Sequence, residues 1–348
     1  MRSTVVAYAV GRTLFVFISK QTMKKIFSIL HLLALSALLV FSACGGDNND
    51  DFGDGGNGNG GGQTGTSQND NANKAGGSVP TEVTRLEFPK VKGDAYDLII
   101  VNKATGIGVN YSLEWDCAKK AQRWTCYQMY AGNSTVNWNR KSWEQTSWHG
   151  DPFQEDPKIP AQYRTKLSDY SGSGYQRGHI CPSADRLYSQ QVNEQTFYLS
   201  NMHPQIGTFN RGIWEQMEEQ VRNWNVNSFR DTLFVCKGGT IDKTAQIKGY
   251  TRSGIIVPKY FFMAVLCKQY NSKDKKWNYK AIGFWIEHQN SPISGDKISN
   301  YVVSIDELEK NTGIDFFCNL PDDIENRVEA VNPKNNTAVI TAWKLTGK

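Results

Sequence analysis

Apolar and β-branched runs separated by turn residues recur along the chain from Glu82 onward. They predict strands over Leu98–Val101, Ser112–Glu114, Trp124–Tyr130, Thr232–Lys237, Lys259–Lys268 and Tyr279–Glu287. Two segments carry a helical period instead. Phe209, Ile213, Met217, Val221 and Trp224 return every three to four residues and give one apolar face. Ser304-Ile305-Asp306-Glu307 has the form of a capping box and opens a second helix that stops near Gly313. Many strands, few helices and no regular βα alternation predict an α+β domain built on an antiparallel sheet. No internal repeat is visible.

The first quarter of the 348 residues reads differently. Met23-Lys24-Lys25, the apolar stretch Ile26 to Phe41 and Ser42-Ala43-Cys44 together form a secretory signal peptide, with Met23 as the expected start. The stretch is shorter than the roughly 20 apolar residues that cross a bilayer, which favours a cleaved signal over a membrane span. A cysteine directly after small residues resembles the lipobox of bacterial lipoproteins, although Phe41 stands where such boxes usually carry Leu. The leader is therefore expected to cover residues 1–43, with Cys44 lipidated and the chain held in the cell envelope, at the outer membrane, facing the periplasm or the outside. Residues 44–79 are rich in Gly, Asn and Asp and form a flexible tether, leaving 80–348 as the folded domain. Asp47, Asp50 and Asp51 at its start resemble the export tags of surface lipoproteins; an ordinary solvated linker would read the same.

Partition changes the meaning of the charge. The formal value is +5, but Arg2, Arg12, Lys20, Lys24 and Lys25 all lie in the leader, which has no acid, so the remainder is near neutral. Five Asp against Lys74 make the tether −4 and leave the folded part near +4. That excess permits a nucleic-acid partner without requiring one. Beyond Cys44 there are six cysteines, at 117, 126, 181, 236, 267 and 318, with no CxxC pair and hence no structural zinc pattern. Cys117 and Cys126 flank a polar turn and are the first pair to test for a disulfide.

The densest chemistry lies between Tyr175 and Arg222. After the turn Ser171-Gly172-Ser173-Gly174 come Gln176-Arg177-Gly178-His179, then Asn201, Asn210, Glu218 and Arg222. An imidazole that can take a proton, an amide oxygen suited to a hard cation, a carboxylate and two guanidiniums able to clamp a phosphate are what a metal-dependent phosphodiesterase needs. Asn210, Trp214 and Glu218 recur every four residues and predict a stripe beside the apolar helix face, with Arg222 continuing it. Singly these residues mean little: Glu218 and Arg222 would be a helix-surface ion pair, the asparagines turn or cap residues, and Trp214 core. Cys181 is better read as a buried thiol than as a nucleophile, and His203 and His288 as structural.

Taken together, the residues resemble the DNA/RNA non-specific endonuclease family, which includes secreted bacterial nucleases and mitochondrial endonuclease G. Members carry Asp-Arg-Gly-His, an Asn, and a helix with Asn-x-x-x-Trp-x-x-x-Glu-x-x-x-Arg. Here Arg177-Gly178-His179 is followed by Asn201, Asn210, Glu218 and Arg222 at 22, 31, 39 and 43 residues beyond the histidine. Asn201-Met202-His203-Pro204-Gln205 and Gly313-Ile314-Asp315-Phe316-Phe317 also look like family features, so the resemblance spans roughly residues 85 to 330. It implies a ββα-metal (His-Me finger) fold within an antiparallel sheet and sequence-non-specific cleavage of DNA and RNA. It also implies that His179 acts as general base, with Asn210 as the direct protein ligand of one Mg²⁺ or Mn²⁺ and Glu218 holding a metal-bound water. Arg177 and Arg222 would be charge clamps, and Asn201 a brace of the site. The family Asp is Gln176 here, which implies weaker metal binding or slower turnover and keeps open an alternative, a weak or inactive surface lipoprotein of this fold that binds nucleic acid or a protein partner.

Overall fold

The computed structural model describes residues 6–10, 13–17, 68–94, 96–140, 151–290 and 296–348. The expected signal segment from Met23, Cys44 and the tether up to residue 67 lie outside them. The N-terminal unit contains the antiparallel hairpin β1 (Val6–Val10) and β2 (Thr13–Phe17). Among the described residues no helix is long and apolar enough to cross a membrane.

The second unit, Thr64–Lys348, is organised by a seven-stranded sheet. Its strands are β3 (Asp97–Ala104), β4 (Gly108–Asp116), β5 (Ala121–Tyr130), β8 (Thr232–Gly239), β11 (Tyr260–Asn271), β12 (Lys276–Glu287) and β13 (Val302–Val303). Their spatial order is β13-β12-β11-β8-β5-β4-β3, and every ladder is antiparallel. All six strands expected from the sequence are present, each somewhat longer than its apolar run. Between β8 and β11 the chain forms a separate antiparallel pair, β9 (Ile247–Tyr250) and β10 (Ile256–Pro258).

Both faces of the sheet are buried, which the alternation in β11 makes plain. Phe261, Met263, Val265 and Cys267 enter one core, while Phe262, Ala264 and Leu266 enter the other. The first core is closed by the helix after Gly207, through Phe209, Ile213, Trp214, Met217, Val221 and Trp224. The second is closed by α3 (Ile305–Thr312) and α4 (Asp322–Glu329), which contribute Ile305, Leu308 and Val328, and by Val83 and Phe88 from the N-terminal side. Burying a side chain of this size is worth about 1.5–3 kcal/mol, so both layers are integral to the fold.

The expected cap of α3 is present: the Ser304 hydroxyl accepts from Glu307 N, and Gly313 ends the helix in the left-handed region at φ 75°. Two short helices were not anticipated besides α4: α1 (Gln190–Gln195) and α5 (Thr337–Ala342). The packed region also reaches further N-terminal than residue 80. Asn73 is buried and donates to the carbonyls of Val83 and Pro89, while the Asn69 amide donates to Leu320 O. Asparagine side chains anchor a segment whose composition alone reads as tether.

The six cysteines described are all buried thiols, and the suggested Cys117–Cys126 bridge is not formed. Cys126 stands opposite Cys236 and Ser112 on the neighbouring strands, and Cys117 lies beyond the end of β4.

Candidate active site

The QRGH segment is strand β6 (Gln176–His179), paired antiparallel with β7 (Met202–Gln205) in a separate two-stranded ribbon. Register places Gln176 opposite Gln205 and His179 opposite Met202. Gly178 is required by close approach: a Cβ there would lie 2.2 Å from the Gln205 side chain. The ribbon leads into one turn of helix (Gly207–Phe209), a wide π turn (Asn210–Trp214) and then α2 (Glu215–Trp224). Ribbon and helix together make a ββα unit on one face of the large sheet.

The π turn corrects the expected stripe. Gly212 leaves helical geometry at φ −108° and ψ −114°, so a uniform four-residue step from Asn210 to Glu218 is lost. Trp214 turns into the core, 1 % exposed, and its indole N–H donates to the carbonyl of His179 at 3.0 Å. A cleft of about 240 Å³ is lined instead by Asn210, Arg211, Glu215, Glu218 and Arg222 from the helix, with His179 and Arg140 facing them.

His179 is half-buried between the rings of Phe153 and Phe197, and its Nε2 is buried without a hydrogen-bond partner. Desolvation, with the positive charges of Arg140, Lys237 and Arg177 nearby, pushes the imidazole down to about 3. It is therefore neutral at physiological pH. Asn210 donates its amide to Gln176 Oε1 at 2.9 Å, and its own oxygen has no bond among the described residues. Gln176 thus retains an acceptor at this position without the charge of a carboxylate.

Glu218 is held at 3.3 Å by Lys237, which is wholly buried in mid-strand β8 and lies 4.8 Å from the centre of the Trp214 ring. Burial pushes Glu218 up to about 7, with Asp185 adding to the shift and Lys237 and Arg222 opposing it. The Arg222 guanidinium donates to buried Asp185 at 2.9 Å, and Asp185 also accepts from Tyr127 OH at 3.0 Å. Asp185, Lys237, Arg140, Arg211 and Glu215 are site residues that motif reading missed. Lys237 had a visible signal, a lysine inside an apolar strand.

Two expected residues lie away from the cleft. Arg177 pairs with Asp151 at 3.0 Å, stacks over Phe153 at 3.9 Å and lines a neighbouring cavity of about 590 Å³ with Gln176, Tyr170 and Tyr175. Asn210 borders both cavities. Asn201 is fully buried: its amide donates to Cys181 O and Thr196 O, and its oxygen accepts from Cys181 N. It clamps the backbone after His179 and does not line the cleft.

His203 and His288 are buried scaffold residues. His288 Nδ1 donates to Pro258 O at 2.9 Å and Nε2 accepts from Ile206 N at 2.8 Å, pinning the start of the helical segment with a neutral ring. Desolvation pushes it down to about 4. Because this folded value lies below the unfolded one, its contribution is full above about pH 6.5 and is lost as pH falls toward 4. In urea titrations the stability advantage of the wild type over His288→Gln should therefore shrink by about 1.4 kcal/mol per pH unit across that window. An advantage that stays constant from pH 7 to pH 4 would contradict the buried neutral ring.

A ribbon that feeds a helix and brings an imidazole, an amide oxygen, a carboxylate and an arginine to one cleft beside an antiparallel sheet is the ββα arrangement of metal-dependent nucleases. A profile of the DNA/RNA non-specific endonuclease family matches residues 101–323, and the chain belongs to that family. It is 34 % identical over 171 residues to nuclease C1 of Cunninghamella echinulata var. echinulata, covering 47 % of this chain and 66 % of that protein. Identity is 36 % over 180 residues to the mitochondrial nuclease of Saccharomyces cerevisiae, covering 49 % and 54 %. A nuclease of Nostoc sp. is 29 % identical over 258 residues, covering 73 % and 82 %. The chain thus spans about half to two thirds of the length of the first two relatives. A chain in the solved EndoG/EndoGI complex shares the fold with a TM-score of 0.55 at 22 % identity, covering 71 % of this chain and 96 % of that one.

Proposed function

We propose that the protein is a metal-dependent, sequence-non-specific endonuclease that hydrolyses phosphodiester bonds in DNA and RNA. The observation that carries this reading is the cleft itself, where His179, with an unpartnered buried nitrogen, faces Asn210, Glu218 and Arg222. A buried polar atom without a partner is costly and calls for one that arrives with substrate.

The donor set suits a hard cation. Asn210 offers an amide oxygen whose nitrogen is already engaged by Gln176, and Glu218 offers a carboxylate in the same cleft. Asn210 directly, and Glu218 through water, would hold one Mg²⁺ or Mn²⁺. When bound, such an ion supplies charge that stabilises the developing negative phosphate. His179, neutral at pH 7, accepts a proton from the water that attacks phosphorus, while the ester bond from phosphorus to the leaving 3′ oxygen breaks and that oxygen takes a proton from solvent. Arg222, fixed by Asp185, neutralises charge on the non-bridging oxygens, while Arg177 contacts the backbone on the far side of Asn210. Contacts to phosphate carry no sequence information, so base preference should be weak.

Residues 1–43 act in this reading as a cleaved signal and Cys44 as a lipid anchor holding the enzyme in the cell envelope, supported by the basic start, apolar run and small residues before the cysteine. Incubating the full chain with plasmid and with RNA tests the proposal: degradation with Mg²⁺ that EDTA stops is expected. Retention of nucleic acid without cleavage would show a binding protein instead.

A further inference from the structure

On the other face of the sheet, α3 and α4 bring three acids together. Asp306 and Glu309 lie one turn apart on α3, Glu329 ends α4, and one carboxylate oxygen from each lies within 4.8 Å of the others. Glu329 is 6 % exposed, and its Oε1 is buried with no hydrogen-bond partner. Among the described residues no lysine or arginine forms an ion pair with any of the three; the nearby Lys334 pairs with Glu307 instead. Three carboxylates this close repel one another unless protons or a cation intervene.

The surroundings add further oxygens. Asn71 donates its amide to Glu325 Oε1 at 3.1 Å and to Asp315 Oδ2 at 3.2 Å, and its own Oδ1 is buried without a partner. A set of three protein carboxylates with amide oxygens close by suits Ca²⁺, which takes about 6–8 oxygen ligands, better than Mg²⁺, which is usually held by one or two carboxylates with water and phosphate. The absence of histidine and cysteine from the group argues against zinc.

We propose that Asp306, Glu309 and Glu329 form a second divalent-cation site of the Ca²⁺ class, separate from the cleft. It joins α3 to α4 at the point where Asn71 fastens the N-terminal segment to the domain. The ion stabilises this face of the fold and takes no part in hydrolysis.

The test uses the full chain, stripped with EDTA and dialysed, in calorimetric titrations with CaCl₂ and in thermal melts. An Asn210→Ala background separates this site from the cleft. In that background one Ca²⁺ should bind, and saturation should raise Tm by about 5–10 °C. Adding Glu329→Gln should abolish both effects, as should adding Asp306→Asn. Because Glu329→Gln removes a repelling charge, its metal-free form should melt no lower than its parent, so loss of binding cannot be put down to misfolding. No Ca²⁺ binding in the Asn210→Ala protein would overturn the site. Equal binding with and without Glu329→Gln would overturn it too.

Discussion

His179→Ala is expected to lower the rate of plasmid and RNA cleavage by about 10²–10⁴-fold, the range that a positioned general base contributes. Nucleic-acid binding should survive, because Arg222 and Arg211 remain on the cleft wall. The fold should survive as well: the bond from the Trp214 indole goes to the backbone carbonyl of residue 179, which alanine keeps. Loss of binding in step with loss of cleavage would move His179 from proton transfer to substrate contact.

The pH profile adds an independent check. With its pKa near 3, His179 is deprotonated throughout the neutral range and should produce no limb at the ordinary imidazole value near 6.5. Glu218, pushed up to about 7 in the metal-free protein, must shed its proton to serve a cation, so the Mg²⁺ concentration giving half-maximal rate should rise as pH falls below about 7. Glu218→Gln should remove that pH dependence of the Mg²⁺ requirement. A limb near 6.5 that persists in Glu218→Gln would assign the titration to the imidazole and contradict its desolvation.

The ribbon–helix site was legible because its residues sit at fixed offsets in one continuous stretch, from Gln176 to Arg222. Its exact facing was not. Periodicity assumes a uniform helix, and Gly212 interrupts it, so Trp214 belongs to the core while Arg211 and Glu215 join the cleft. Partners from distant strands and loops left no local trace: Asp185 fixes Arg222, and Asp151 holds Arg177 outside the cleft. The sheet shows the same limit. The unbroken apolar run in β11 announces a strand, but only packing reveals that alternate residues serve two different cores. At the N-terminal edge, Asn69, Asn71 and Asn73 are polar by composition and structural by hydrogen bonding.

The second large effect concerns the amide pair at the head of the helix. Asn210→Ala removes the one amide oxygen that the cleft offers a cation and should cost more than the 10- to 100-fold typical of losing an outer partner. The loss should appear mainly as a higher Mg²⁺ requirement. Gln176 acts one step removed, since its Oε1 accepts the Asn210 amide and so turns the other end of that amide free. Gln176→Leu should therefore fall within about 10- to 100-fold, with Mg²⁺ affinity again the quantity that moves. Gln176→Asp keeps the acceptor and adds negative charge near the cation, so it should lower the Mg²⁺ concentration giving half-maximal rate or raise the rate itself. Asn210→Asp distinguishes orientation from charge. Beside the native Gln176 the amide can rotate to donate to the new carboxylate, and activity is retained. In the double variant that combines Asn210→Asp with Gln176→Asp, two carboxylates oppose each other without a donor, and activity is lost. Equal Mg²⁺ requirements in the wild type, Gln176→Leu and Gln176→Asp would show that the hydrogen bond between residues 176 and 210 does not position the ligand.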